Sequence, residues 1–215
     1  MTQESTHIAV LTGDLVHSAD LSEPQIAQAM MILEHCARQP GNWTGTPTHF
    51  SRHRGDGWQI VLTQPHLALR SALMFRATLR ATNDAFDSYI AMAQGPNSGT
   101  IGPDLNAENG PVFVQSGQAL DALKSSKTPL RMVHDTLGAP DAAVILADHL
   151  FQGWTQPQAQ AMALALAQPP DTPVSFSKIA KALGKSRQAT TKAMKAAGFE
   201  HLELALDTLD RSAAL

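Results

Sequence analysis

Apolar positions along this chain recur with two periods, and the switches between them set an order of elements. Ile8-Ala-Val-Leu within His7 to Thr12 is a short apolar run that stops at Gly13-Asp14, which predicts a buried strand. Ser22 and Gln25 form a capping-box pattern, after which Ile26, Met30 and Leu33 recur at helical spacing until Pro40-Gly41. Two strand-type runs follow, Thr46 to His53 and Trp58 to Thr63, separated by Arg54-Gly55-Asp56-Gly57, and this predicts a hairpin. Leu69, Leu73, Arg76 and Leu79 place a helix over Leu67 to Thr82, and Asp87 to Gln94 is a further strand.

The resulting order, βαββαβ, is the split-βαβ layout of ferredoxin-like and polymerase-palm domains. Gly95 to Pro111 then forms a long segment rich in Gly, Pro and Asn, uncommon in a compact domain unless it has a job. Val112 to Leu123 is predicted helical and Leu130 to His134 an edge strand. Helix-rich sequence runs from Asp141 to the end, broken at Gly153-Trp154 and Pro169-Pro170. These patterns predict an α+β chain: a palm-like domain over residues 1–137, then an all-α domain over 138–215. The helix after Trp154, with Gln158, Met162 and Leu166, is expected to pack between domains or subunits.

Composition narrows the class. The 215 residues are 43% hydrophobic and 16% charged, an ordinary globular balance. The lone cysteine, Cys36, excludes an internal disulfide framework and sits beside apolar helix positions, as a core residue would. No apolar run approaches the roughly 18 to 20 residues needed to cross a bilayer, and the N-terminus lacks the pattern of a signal peptide. No membrane partner and a cytoplasmic location are expected.

The net charge of -3 gives no global case for nucleic acid, so any such case must be local. It is found between Val174 and Phe199, which holds Lys178, Lys181, Lys185, Arg187, Lys192 and Lys195 and no acidic residue. Ile179, Ala180 and Leu183 give a short helix an apolar face, Gly184 permits a tight turn, and Ser186 is a suitable cap for a second helix. This is the layout of a helix-turn-helix over about residues 176–197. Ala189, Thr190, Ala193 and Met194 are expected inward, leaving Lys185, Ser186, Arg187, Gln188, Thr191, Lys192 and Lys195 as the DNA-contacting set. Single modules bind weakly and operators are usually two-fold, so a homodimer is expected.

A second candidate site comes from the predicted topology. Asp14 ends the first strand and Asp56 lies at the hairpin tip, and a βαββαβ sheet brings those two ends together. Carboxylates within about 4 to 5 Å of each other stay ionised when a cation or basic group sits between them. Hard oxygen donors favour Mg²⁺ or Mn²⁺, commonly with a nucleotide phosphate completing the shell. Gly13, Arg54, Gly55 and Gly57 are the candidate nucleotide-binding positions, since glycines let backbone amides approach phosphates. Asp-Gly is also a favoured hairpin pair on geometry alone. His49 and His53 are not a metal pair, because four residues of strand span roughly 13 Å.

Gly13-Asp14-Leu-Val-His-Ser18, Arg54-Gly-Asp-Gly-Trp-Gln59 and Gly110-Pro-Val-Phe-Val-Gln-Ser-Gly-Gln-Ala-Leu120 fall in the order seen in SatD-family proteins. The chain resembles that family along nearly its whole length. The resemblance implies a relative of the class III nucleotide cyclase palm domain followed by a DNA-binding-type helical tail. It also implies that Asp14 and Asp56 match the metal-binding aspartates of the cyclases. On the following helix, Asp121 and Ser125 stand where the cyclases have Asn and Arg, so catalytic residues are not assigned. The function expected is a DNA-binding regulator whose first domain senses a nucleotide or divalent metal. The alternatives are a metal-dependent nucleotidyl transferase or cyclase using Asp14 and Asp56, and a protein-interaction adaptor.

Overall fold

The computed structural model describes residues 6–53 and 55–212. The chain is α+β. Strands β1 (Thr6–Leu15), β2 (His49–His53), β3 (Gly57–Leu62), β4 (Ser88–Asn97) and β5 (Met132–His134) form one sheet in the order β2-β3-β1-β4-β5. All neighbours are antiparallel except β4 and β5, which are parallel. Among the described residues the helices are α1 (Glu23–Thr44), α2 (Ala68–Thr82), α3 (Pro111–Ser125), α4 (Ala139–Gln152), α5 (Gln156–Leu166), α6 (Phe176–Ala182), α7 (Arg187–Ala196) and α8 (Phe199–Ser212). None is long and apolar enough to cross a membrane.

Strand alternation divides the buried run of β1 between two faces. Ala9 and Leu11 join Trp58, Ile60, Leu62, Ile90 and Met92 beneath α1 and α2. Ile8 and Val10 join Val61 and Ala93 on the other face, covered by Val112 and Phe113 of α3 and by Leu105. The expected strand-helix order is present, with β1 and β4 longer than the apolar runs alone suggest, because each pairs with the other along its whole length.

One expectation fails at Pro40, where α1 does not stop. The helix runs four residues further, with Pro40 inside it. Only the last turn follows the proline, and tertiary contacts hold that turn. The Trp43 indole packs against the core and donates to Ala167 O at 3.2 Å, while the Thr48 hydroxyl donates to Ala37 O at 2.5 Å.

α2 is buried on nearly every side. The sheet lies against one face and α5 runs along another, with α4 also in contact. One continuous hydrophobic core therefore includes Leu73 and Phe75 of α2 together with Phe151, Trp154 and Met162 from the helices after residue 137.

Polar groups fix the geometry of this seam. Arg76, fully buried on α2, donates to Asp87 through Nε at 2.7 Å and Nη2 at 2.9 Å, and through Nη1 to Asp148 at 2.5 Å. Arg80 and Arg131 add bonds to Asp87 Oδ2 at 3.1 and 2.6 Å. The second oxygen of Asp148 accepts from Arg131 N–H and from Gln152 Nε2, each at 2.9 Å. Arg76 and Arg80 also stack over the Phe151 ring, 4.0 and 4.3 Å from its centre. Burial by itself pushes the Asp87 carboxyl up, and the three guanidiniums outweigh it and hold the group below its ordinary value.

Removing one partner strands the remaining charges in the interior. Asp87→Asn is expected to cost about 3 to 5 kcal/mol in urea unfolding, whereas Glu34→Gln, which breaks the exposed Glu34–Arg38 pair, is expected to cost under about 0.5 kcal/mol. Because the folded-state pKa of Asp87 is depressed, its contribution is present above the ordinary value of 3.8 and is lost as pH falls below it. Wild-type stability should accordingly fall more steeply than that of Asp87→Asn below about pH 4.

Candidate functional site

Alternation along β1 sends Thr12 and Asp14 to the face that α3 covers, in line with Ile8 and Val10. Opposite them, Gln59 pairs with Thr12 and Gly57 with Asp14. α3 lies across this strand end with Phe113, Val114, Gly117, Leu120, Asp121 and Lys124 turned to one side, a helical stripe. The third wall is the long segment after β4, through Leu105, Asn106, Glu108 and Asn109. Together these enclose a cleft of about 550 Å³, within the size range of small-molecule sites. Gly13 and Asp14 after the first apolar run, Asp56 to Gln59 of the hairpin, and Phe113, Val114, Gly117 and Leu120 of α3 all border it.

Asn106 donates to Arg52 O at 3.0 Å, its Oδ1 lies 2.8 Å from His53 Nδ1, and Ser51 Oγ accepts from Leu105 N–H at 2.8 Å. Two hydrogen bonds within the Asp104–Asn106 turn, from the backbone and the side chain of Asn106, hold the Asp104 carboxyl below its ordinary range. The segment is thus strapped to the hairpin and forms a fixed wall.

Asp14 and Asp56 do border the same cleft, and the backbone of Leu15 donates to Asp56 O at 3.3 Å. The group that joins Asp14 is Lys124, from the last turn of α3, which forms an ion pair with Asp14 Oδ2. The hydrogen bond to Asp14 raises the Lys124 pKa, burial opposes it, and the charges of Asp14, Asp56 and Asp121 raise it further. The ammonium thus meets the Asp14 carboxylate directly and feels the charge of Asp56 from further off. Among the described residues no group of three or more His, Cys, Asp and Glu is placed to hold a metal ion. In this arrangement Asp14 is engaged by Lys124.

The candidate phosphate-binding glycines have internal packing partners. A side chain at Gly13 would run into the Trp58 indole, and one at Gly57 would meet His53 O at 2.7 Å. Gly55 has φ of +87°, so it serves the turn. Arg54 lies outside the described residues. Among the described residues that line the cleft, Asp14, Asp56, Glu108 and Asp121 face a single lysine. Cys36 is buried away from this site and burial pushes its thiol up to about 11, consistent with a core role.

Lys124 was not among the residues expected here. Its signal was the stripe itself, since Gly117, Leu120, Asp121 and Lys124 fall at spacings of three, four and seven.

The second candidate site lies on α6 and α7, joined by a turn at Gly184 with φ of +63°. Ser186 caps α7, accepting from Ala189 N–H at 3.1 Å. Thr190 and Met194 are buried, as are Ile179 and Ala180 on α6. Lys185, Ser186, Arg187, Gln188, Lys192 and Lys195 are exposed and Thr191 is half-buried. Ala189, expected inward, is exposed, because the inward face of α7 narrows to Thr190 and Met194 where α5 meets it. Lys185 Nζ donates to Gln160 Oε1 on α5 at 3.2 Å, and Lys195 lies 3.8 Å from Glu200 in an exposed pair.

No family model, no curated protein and no solved structure matches this chain.

If Lys124 occupies the place of a cation, Lys124→Met should open the cleft to one. Mn²⁺ affinity, followed by electron paramagnetic resonance of the free ion, is expected to rise by about tenfold or more, roughly 1.4 kcal/mol. Equal affinity in wild type and variant would show that the lysine does not compete with a metal.

Proposed function

We propose that this chain is a cytoplasmic DNA-binding regulatory protein. A ferredoxin-like, palm-type unit carries a sensing cleft, and α6 and α7 act as the helix-turn-helix. The observation that carries the reading is the outer face of α7 and its approach. Arg187, Gln188, Lys192 and Lys195 are exposed there with Lys185 immediately before them, while Thr190 and Met194 anchor the helix. Basic residues in the first turn of a helix oppose its dipole. Arg187 stands there at the first position of α7, with Lys185 just ahead of the Ser186 cap, and a phosphate backbone would supply the compensating anion. In this reading Arg187 and Gln188 meet base edges in the major groove, and Lys185, Lys192 and Lys195 neutralise phosphates.

A homodimer fits the same reading. Leu146 and Leu150 are exposed one turn apart on α4, and Leu150 stands beside Gly198 at the junction of α7 and α8. A second copy seated there would bring a second α7 into the same assembly.

The cleft supports a sensory role better than a catalytic one. A nucleotide would enter it only with Mg²⁺ or Mn²⁺ balancing its phosphates, and Lys124 would have to leave Asp14. The nucleotidyl transferase or cyclase reading has less support, because Asp121 and Ser125 hold the α3 positions that in the cyclases are Asn and Arg.

Replacing Lys192 and Lys195 together by Glu is expected to weaken binding to duplex DNA of any sequence. The slope of log affinity against log salt, measured by fluorescence anisotropy, should fall by about two, since each phosphate contact contributes roughly 0.9. An unchanged slope would overturn the DNA assignment, and absence of wild-type binding at low salt would favour the protein-interaction adaptor.

A further inference from the structure

Lys185 stands at the approach to α7 with its main chain fixed on both sides. Gly184 follows α6 in a left-handed conformation, with φ of +63°. Around it the Lys185 N–H donates to Ala180 O at 2.9 Å and the Gly184 N–H to Lys181 O at 3.2 Å. That pair of bonds is a Schellman motif, and it ends α6 in one geometry. On the other side Ser186 caps α7, accepting from Ala189 N–H at 3.1 Å. The point from which the Lys185 side chain departs is therefore set.

Its far end is set as well. Lys185 Nζ donates to Gln160 Oε1 at 3.2 Å, and Gln160 Nε2 donates to Ala81 O at 3.4 Å. Ala81 lies in the last turn of α2, where carbonyls lack helical partners. One orientation of the Gln160 amide serves both contacts, because a carbonyl needs a donor and an ammonium needs an acceptor. Gln156, one turn earlier on α5, donates to the same carbonyl at 3.4 Å.

This anchor differs in kind from an ion pair. A neutral amide holds an ammonium without cancelling its charge, and it takes one of three N–H donors. The full positive charge and two N–H groups are left for another acceptor. Lys195, by contrast, sits 3.8 Å from the Glu200 carboxylate. Lys178, Lys181, Arg187 and Lys192 make no side-chain hydrogen bond or ion pair among the described residues. A free lysine gives up rotamer freedom when it meets a phosphate. Lys185 has given up part of it beforehand, which lowers the cost of the contact.

We propose that Gln160 is a positioning residue for DNA binding, presenting Lys185, charged and already oriented, to a backbone phosphate beside the first turn of α7. This role rests on the DNA-binding reading of α6 and α7, and it makes the end of α2 part of the support for that contact.

In the full chain without DNA, ¹³C relaxation at Lys185 Cε should report an ordered side chain, and Gln160→Met should leave it as mobile as Lys178. With duplex DNA, followed by fluorescence anisotropy, Gln160→Met should weaken binding by about three- to tenfold. Its salt slope should stay unchanged, because the charge remains. Lys185→Met should lower the slope by about 0.9, and Gln160→Glu, which neutralises the lysine in place, should bring it to the same value. In the Lys185→Met background Gln160→Met should have no further effect. A wild-type Lys185 as mobile as Lys178 would overturn the proposal and leave the DNA reading intact, as would equal Gln160→Met effects in the two backgrounds. Failure of the wild type to bind duplex at low salt, with Lys185 ordered, would overturn the DNA reading and the positioning role with it.

Discussion

The Arg76 guanidinium, wholly inside the protein, is the constraint from which the rest of the architecture follows. An unpaired charge in that position would be prohibitive, so every neighbour must supply an acceptor in a fixed place. Asp87 at the head of β4 takes two of its N–H groups and Asp148 on α4 takes a third. Apolar packing alone would let α4 slide along α2 at little cost. The hydrogen bonds admit one setting, and Phe151 beneath both guanidiniums fills the remaining space. Arg80 extends the arrangement by donating to Phe151 O at 2.9 Å and Trp154 O at 3.3 Å, which satisfies carbonyls at the end of α4.

The same network reaches the candidate cleft. Asp87 O accepts the backbone N–H of Val16 at 2.9 Å, just past the end of β1. The next residue, Ser88, donates its hydroxyl to Asp14 O at 3.0 Å and accepts the Trp58 indole N–H at 3.0 Å. Trp58 in turn lies over Gly13, whose missing side chain makes room for it. The backbone that carries Asp14 is therefore positioned from behind by the charged cluster, while its carboxylate is met from the front by Lys124. Sheet, cleft and helical region are settled by one chain of contacts rather than by separate cores.

How much of this the amino-acid sequence discloses depends on how local each interaction is. The hairpin, α2 and the Ser186 cap depend on residues within a few positions of one another, and each forms where its pattern predicts. Arg76 was visible as a charged residue in register with Leu69, Leu73 and Leu79, an anomaly that signals a buried ion pair without naming its partners. Asp148 lies 72 residues away, and no periodicity connects the two. Lys124 was hidden for a related reason. Its place beside Asp14 depends on the angle at which α3 crosses the sheet, which is set by Val112 and Phe113 packing on Ile8 and Val10. The extension of α1 past Pro40 likewise needs the distant Ala167 carbonyl as a partner for Trp43. Periodicity predicts faces; it does not predict which distant face will meet them.

Charge is segregated by the same logic. The chain carries more acid than base, and α8, directly after the basic helices, holds Glu203, Asp207 and Asp210 at spacings of four and three. Left on the surface beside α7, that stripe would cancel much of the positive field there. It is instead half-buried with Leu202 and Leu206, against Arg70 on α2. Burial lowers the Arg70 pKa, and Asp210, Asp207 and Glu203 oppose that shift. Burial likewise raises Asp210 and Glu203, which marks the acids as drawn inward. Arg70 thus does more than balance a helix. It draws the carboxylates of α8 inward beside a guanidinium that is itself buried on α2.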